Sequence, residues 1–117
     1  MQITITEDAH ARILKYLDSS SKIILNFDDG VGELSNSRAS CSLDLHFELV
    51  IASQSATLTD YSAEIETTVG TFYAKPYSLK YLDQNNTIKV GASGALTLSG
   101  EYAGVIDGNL TVKDLRS

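Results

Sequence analysis

Leu43-Asp44-Leu45-His46-Phe47-Glu48-Leu49-Val50-Ile51 alternates apolar and polar residues over most of its length. A period of two belongs to extended chain, in which successive side chains point to opposite faces. Leu43, Leu45, Phe47, Leu49 and Ile51 therefore share one face of a long strand. Five apolar side chains on one face require a partner layer, which makes this stretch part of a sheet over a core. Downstream, Tyr61, Ala63, Ile65, Thr67 and Val69 repeat the alternation, and Gly70 permits a tight turn into Thr71-Phe72-Tyr73-Ala74, predicting a hairpin closed by Pro76. Tyr77 to Asp83 is too short for an independent helix. With Leu79 and Leu82 three residues apart, it predicts a single turn lying as a lid over the sheet. After the turn Asp83-Gln84-Asn85-Asn86 come Thr87 to Val90 and short strands around Leu96, Leu98, Val105, Ile106, Leu110 and Val112, punctuated by glycines.

Upstream, Lys22 to Phe27 reads as a strand, and the stretch from Asp29 to Ser42 as a loop rich in Gly, Ser and Asn. Near the start, Gln2 to Ile5 alternates, and Thr6 followed by Glu7 and Asp8 is the signature of a side-chain cap with acids in the first turn. A helix from Glu7 to Asp18 is predicted, with Ala9, Ile13, Leu14 and Leu17 as its apolar stripe and Arg12 and Lys15 facing away. The expected fold class is α+β, mainly β. It comprises one N-terminal amphipathic helix docked on a curled, mainly antiparallel sheet, β-sandwich-like, in a single domain over residues 1–117.

Composition restricts the function. With 43% hydrophobic residues, 117 residues can bury a core without staples. The 15 acidic against 9 basic side chains give a net charge of -6, which repels phosphate backbones and anionic lipid, so no nucleic acid and no membrane partner is expected. The opening residues lack the charged and apolar regions of a signal peptide, and a cytoplasmic location is expected. The sequons at Asn85 and Asn109 then carry no meaning.

The candidate chemistry is sparse. His10 on the helix and His46 on the polar face of the long strand fall in no ligand or catalytic spacing, and both read as ordinary surface or half-buried residues. Gly30-Val31-Gly32 lacks the third glycine of a phosphate cradle, Ser35 taking its place, and no helix follows, so it reads as turn geometry. Asp28, Asp29 and Glu33 lack a full oxygen cage and read as solvated turn residues. Cys41 is either a small buried hydrophobe or an exposed thiol. No set of nucleophile, base and orienter can be named, so an enzyme is not expected. One cysteine excludes an internal disulfide. Iron–sulfur clusters usually take four thiolates, and a symmetric dimer would supply two.

Two segments carry a family resemblance. Ile3-Thr4-Ile5-Thr6-Glu7-Asp8-Ala9 with its helix resembles the opening of the HesB or IscA-like family, the A-type carriers of iron–sulfur cluster biogenesis. Gly70-Thr71-Phe72-Tyr73 followed by Ser78-Leu79-Lys80-Tyr81-Leu82-Asp83 resembles that family's glycine hairpin, serine and "Y-L-D" turn. The similarity runs from Met1 to Val90. It implies a HesB-like fold, a scaffold or iron-delivery role, iron or an iron–sulfur cluster as cargo, and iron–sulfur assembly or recipient proteins as partners, with a homodimer as the assembly. It directs attention to the loop after the second strand, with Asp29, Gly30 and Gly32 as loop candidates and Cys41 as a peripheral or dimer-shared ligand. The family's carriers place a cysteine in this loop and two more near the C-terminus. Here Val31 stands where the loop thiol is expected, and Asn109 to Ser117 contains no cysteine. The alternative is a metal-free member acting as a small interaction or dimerisation module.

Overall fold

The structure, a computed structural model, describes residues 1–28, 46–56 and 58–116. Among them are strands β1 (Gln2–Ile5), β2 (Ser21–Asp28), β3 (His46–Ser53), β4 (Ala63–Thr67), β5 (Gly70–Ala74), β6 (Asn85–Val90), β7 (Leu96–Gly100), β8 (Gly104–Asp107) and β9 (Thr111–Asp114), and one helix, α1 (Glu7–Ile13). The strands form one sheet in the order β8-β7-β6-β1-β4-β5-β2-β3-β9. The mainly β, α+β fold read from the sequence is the one observed.

The longest ladders are antiparallel, with β2 against β3 from Ser21↔Ser53 to Asp28↔His46, β4 against β5, and β6 against β7. Four shorter ladders are parallel: β1 with β4, β1 with β6, β2 with β5, and β3 with β9. Single-strand alternation carries no information on these, because direction depends on which distant strand becomes the neighbour. The sheet curls. Asp107 on edge strand β8 accepts the Phe47 amide of β3, at the far side of the strand order, at 2.8 Å, and the Leu110 amide reaches Leu96 O on the way to β9.

Inside the curl lie Ile3, Ile5, Ala9, Ile13, Ile23, Leu25, Phe27, Phe47, Leu49, Ile51, Ile65, Phe72, Ile88 and Leu98. The alternation of β3 holds for Phe47, Leu49 and Ile51; Leu43 and Leu45 lie outside the described residues. The opposite face is buried too, where Ile24, Val50, Ala52 and Tyr61 form a second cluster with Leu58 and Tyr73. Tyr61, expected to share a face with Ile65, instead precedes β4 and packs in this second cluster.

The helix is shorter than its periodicity predicts. It ends at Ile13, and Leu14–Tyr16 tightens into a 3₁₀ turn. Asp18 accepts the Ser20 amide and hydroxyl, a local turn that competes with helix continuation. The tighter winding leaves Leu14 58% exposed, while Tyr16 and Leu17 pack against the core. Nor does the Thr6 side chain cap the helix. Its hydroxyl contacts Asp8 and Ile88 O, and Asp8 accepts the Ala9 amide.

The lid is a 3₁₀ turn, Pro76–Tyr81, with Leu79 and Leu82 on the core as expected. Ser78, fully buried, donates to Lys75 O at 2.7 Å. Asp83 then accepts the amides of Tyr102 and Ala103 at 2.7 and 2.8 Å, and Asn86 grips the Asp83 backbone on both sides. An added Cβ at Gly100 would collide with the Asp83 carboxylate, which accounts for glycine there.

Candidate functional site

β2 ends at Asp28 and β3 begins at His46, and the stretch to which the resemblance points lies between them in sequence. Asp29, Gly30, Gly32 and Cys41 lie outside the described residues, as do Val31, Glu33 and Ser35. The mouth from which that loop departs is described. Phe27 and Phe47 pair across it with ring centroids 5.1 Å apart, and Tyr81 of the lid packs on Phe27 at 4.6 Å. Three aromatic rings thus fix the end of the β2–β3 hairpin from the core side.

On the other face lies Lys75, only 1% exposed at the end of β5. Its ammonium donates to Phe27 O at 2.8 Å and sits 5.9 Å from the ring centroids of both Tyr61 and Tyr77. Burying an ammonium is costly unless hydrogen bonds and aromatic faces replace its water. Lys75 thereby ties β5 to the last turn of backbone before the loop. Nearby on β2, Asn26 is fully buried. Its amide donates to Glu48 at 3.0 Å, while Oδ1 has no hydrogen-bond partner among the described residues.

His46 opens β3 on the rim. Its Nδ1 lies 3.7 Å from Oδ2 of Asp107, and the two side chains are 56% and 6% exposed. The Asp107 carboxylate is held by two backbone amides, Phe47 to Oδ2 and Asn109 to Oδ1, both at 2.8 Å. His10, by contrast, is on α1 in the layer over β6 and joins no such arrangement. Among the described residues no three His, Cys, Asp or Glu side chains gather in a group able to hold a metal. No helix among them is long and apolar enough to cross a membrane.

Sequence reasoning singled out neither Lys75 nor Asp107, and it read His46 as an ordinary surface or half-buried residue. For Asp107, the Asp107-Gly108-Asn109 turn was a legible signal, since aspartate before glycine commonly accepts the amide two residues on. Its second role, reaching β3 sixty residues away in sequence, left no local trace. Lys75 had no signal at all.

The chain matches the family model described as "Iron-sulphur cluster biosynthesis" over residues 1–114. A crystal structure from Lactobacillus salivarius, described as a candidate Fe-S biosynthesis protein with a novel fold, is 33% identical. All of both chains is covered, at a TM-score of 0.89. A second, from Lactobacillus acidophilus and described likewise as a candidate Fe-S biosynthesis protein, is 22% identical, covers 97% of this chain and 90% of that one at a TM-score of 0.70, and is similar in fold. No curated protein matches significantly.

Proposed function

Since the chain belongs to the iron–sulphur cluster biosynthesis family, we propose that it serves assembly without catalysis, by delivering iron rather than holding an all-thiolate cluster of its own. The carrying observation is the family match over residues 1–114 in a chain with one cysteine. Four thiolates are the usual requirement of a cluster, and two chains supply two. The donor set therefore does not fit an all-thiolate cluster, while a single iron ion accepts imidazole, carboxylate and water ligands. The cargo is iron, and the partners are assembly or recipient proteins.

A second reading, a metal-free interaction module, is favoured by one feature. The β7–β8 turn, pinned by Asp83, presents Tyr102 at 87% exposure, and Val105 just beyond it on β8 is 66% exposed. A rigidly mounted exposed aromatic is the kind of group that anchors protein interfaces. Anaerobic loading with ferrous iron, alone and with sulfide, separates the readings when done on the natural chain and Cys41→Ser. Iron delivery predicts chain-bound iron in both proteins without stoichiometric cluster absorbance. A cluster spectrum that disappears in Cys41→Ser makes the chain a cluster carrier instead, and absence of iron throughout leaves the interaction module.

A further inference from the structure

We propose that the cleft between the starts of β2 and β5 binds a peptide group of another protein, as part of an extended segment carrying an apolar side chain. The site lies at the end of β2 opposite the loop mouth and is independent of the iron-delivery reading. The Gln54 amide bonds Ser20 O, so along β2 the even-numbered residues exchange hydrogen bonds with β3, while Ser21, Ile23, Leu25 and Phe27 turn N–H and C=O toward β5. Acceptance of the Lys75 ammonium by Phe27 O agrees with this alternation. The parallel ladder to β5 runs through Ile23↔Phe72 and Ile24↔Tyr73 and stops there. One step nearer the start of each strand, Ser21 O and the Thr71 amide would be next to pair. They do not, and neither has another partner among the described residues.

The gap they border is a cavity of about 350 Å³, within the range of roughly 300–1,000 Å³ found for small-ligand sites. Tyr16 and Leu17 of the 3₁₀ turn and Val69 of the β4–β5 turn supply its apolar walls, and Gly70 and Gln54 at the rim are exposed, so a chain can enter and leave. The charged groups at the cleft are engaged, Lys22 with Ala56 O and Asp18 with Ser20 and Arg116, which favours a neutral occupant. A carboxylate would satisfy the Thr71 N–H alone, and an ammonium Ser21 O alone. A trans peptide unit carries a donor and an acceptor pointing in opposite directions, so it can bond both rims at once. Strand addition works in this way: main-chain bonds hold the segment, and a pocket selects its side chain.

The test uses the whole isotope-labelled chain and N-acetyl-L-valine N-methylamide, one apolar residue between two peptide groups, followed by amide NMR. Saturable shifts confined to the cleft are expected, with the Thr71 N–H moving downfield as it gains an acceptor. The diester isostere of the probe, with oxygen in place of both N–H groups, keeps the carbonyls and should bind about fivefold more weakly or worse. Thr71→Pro removes an N–H that neither neighbouring strand uses, so the sheet should survive while the probe no longer shifts Gly70 and Ile23. Should that variant not fold, the diester comparison decides. Acetyl-Thr-Val-Thr methylamide should bind more tightly than the one-residue probe, because its flanking residues lie along the rims. Shifts scattered over the surface, undiminished affinity for the diester, or unchanged binding to a folded Thr71→Pro overturn the site. Equal binding of the two peptides overturns the extended segment in favour of a small amide.

Discussion

Asp83 and Gly100 should behave as one unit, and a double-mutant cycle measures it. The Asp83 carboxylate accepts the Tyr102 and Ala103 amides at 2.7 and 2.8 Å. Hydrogen bonds to a charged acceptor contribute about 1.5–3 kcal/mol each when buried, but both donors here are exposed and water replaces the lost acceptor, so Asp83→Ala should cost roughly 2 kcal/mol in total. Gly100→Ala introduces a Cβ that overlaps the carboxylate, and overpacking of this kind costs about 1–3 kcal/mol. In the double variant the carboxylate is gone. The nearest remaining neighbour of the new Cβ is then the Cβ of residue 83 at 3.1 Å, which a few tenths of an ångström relieve. The double variant should thus sit close to Asp83→Ala alone, about 1–2 kcal/mol more stable than the sum of the single effects. Urea unfolding followed by circular dichroism reads this directly, and thermal midpoints should move by roughly 4 °C per kcal/mol for a chain of this length. Additivity within about 0.5 kcal/mol would refute the contact.

Two other perturbations follow from the same geometry. Hydrogen bonds from Ser20 to Asp18, and from Arg116 to Asp114, hold both carboxyls below their ordinary value of 3.8. A depressed folded-state value adds stability that is full above that ordinary value and is lost as pH falls through the folded one. The natural chain should therefore lose more of its thermal midpoint on acidification than Arg116→Gln, and parallel pH profiles would remove Arg116 from the account. Lys75→Ala opens a cavity and orphans Phe27 O, so it should cost about 2–4 kcal/mol in urea unfolding; a change under 0.5 kcal/mol would show that the buried ammonium contributes nothing to tying β5 to the loop's origin.

What could be read from the sequence was what depends on neighbours in sequence. The alternation in β3, the glycine turn at Gly70 and the Leu79–Leu82 lid each reside in a few consecutive residues, and each is present. The helix overran because apolar spacing persists to Leu17, while the Asp18–Ser20 turn that ends it works through a side-chain hydrogen bond that periodicity does not register. Burial of Val50 and Ala52 on the second face arises from a segment folding back over the sheet, which alternation within β3 cannot report. Lys75 and Asp107 are the extreme cases. Their side-chain hydrogen bonds to backbone span 48 and 60 residues of sequence, so the role of Lys75 exists only once β5 lies beside β2 and that of Asp107 only once the sheet has curled.

That distinction bears on what the mouth of the loop can do. Two charged groups beside it are committed inward, Lys75 to the Phe27 carbonyl and Asp107 to the amides of Phe47 and Asn109. A cluster bound through four thiolates would need donors that one cysteine per chain does not provide.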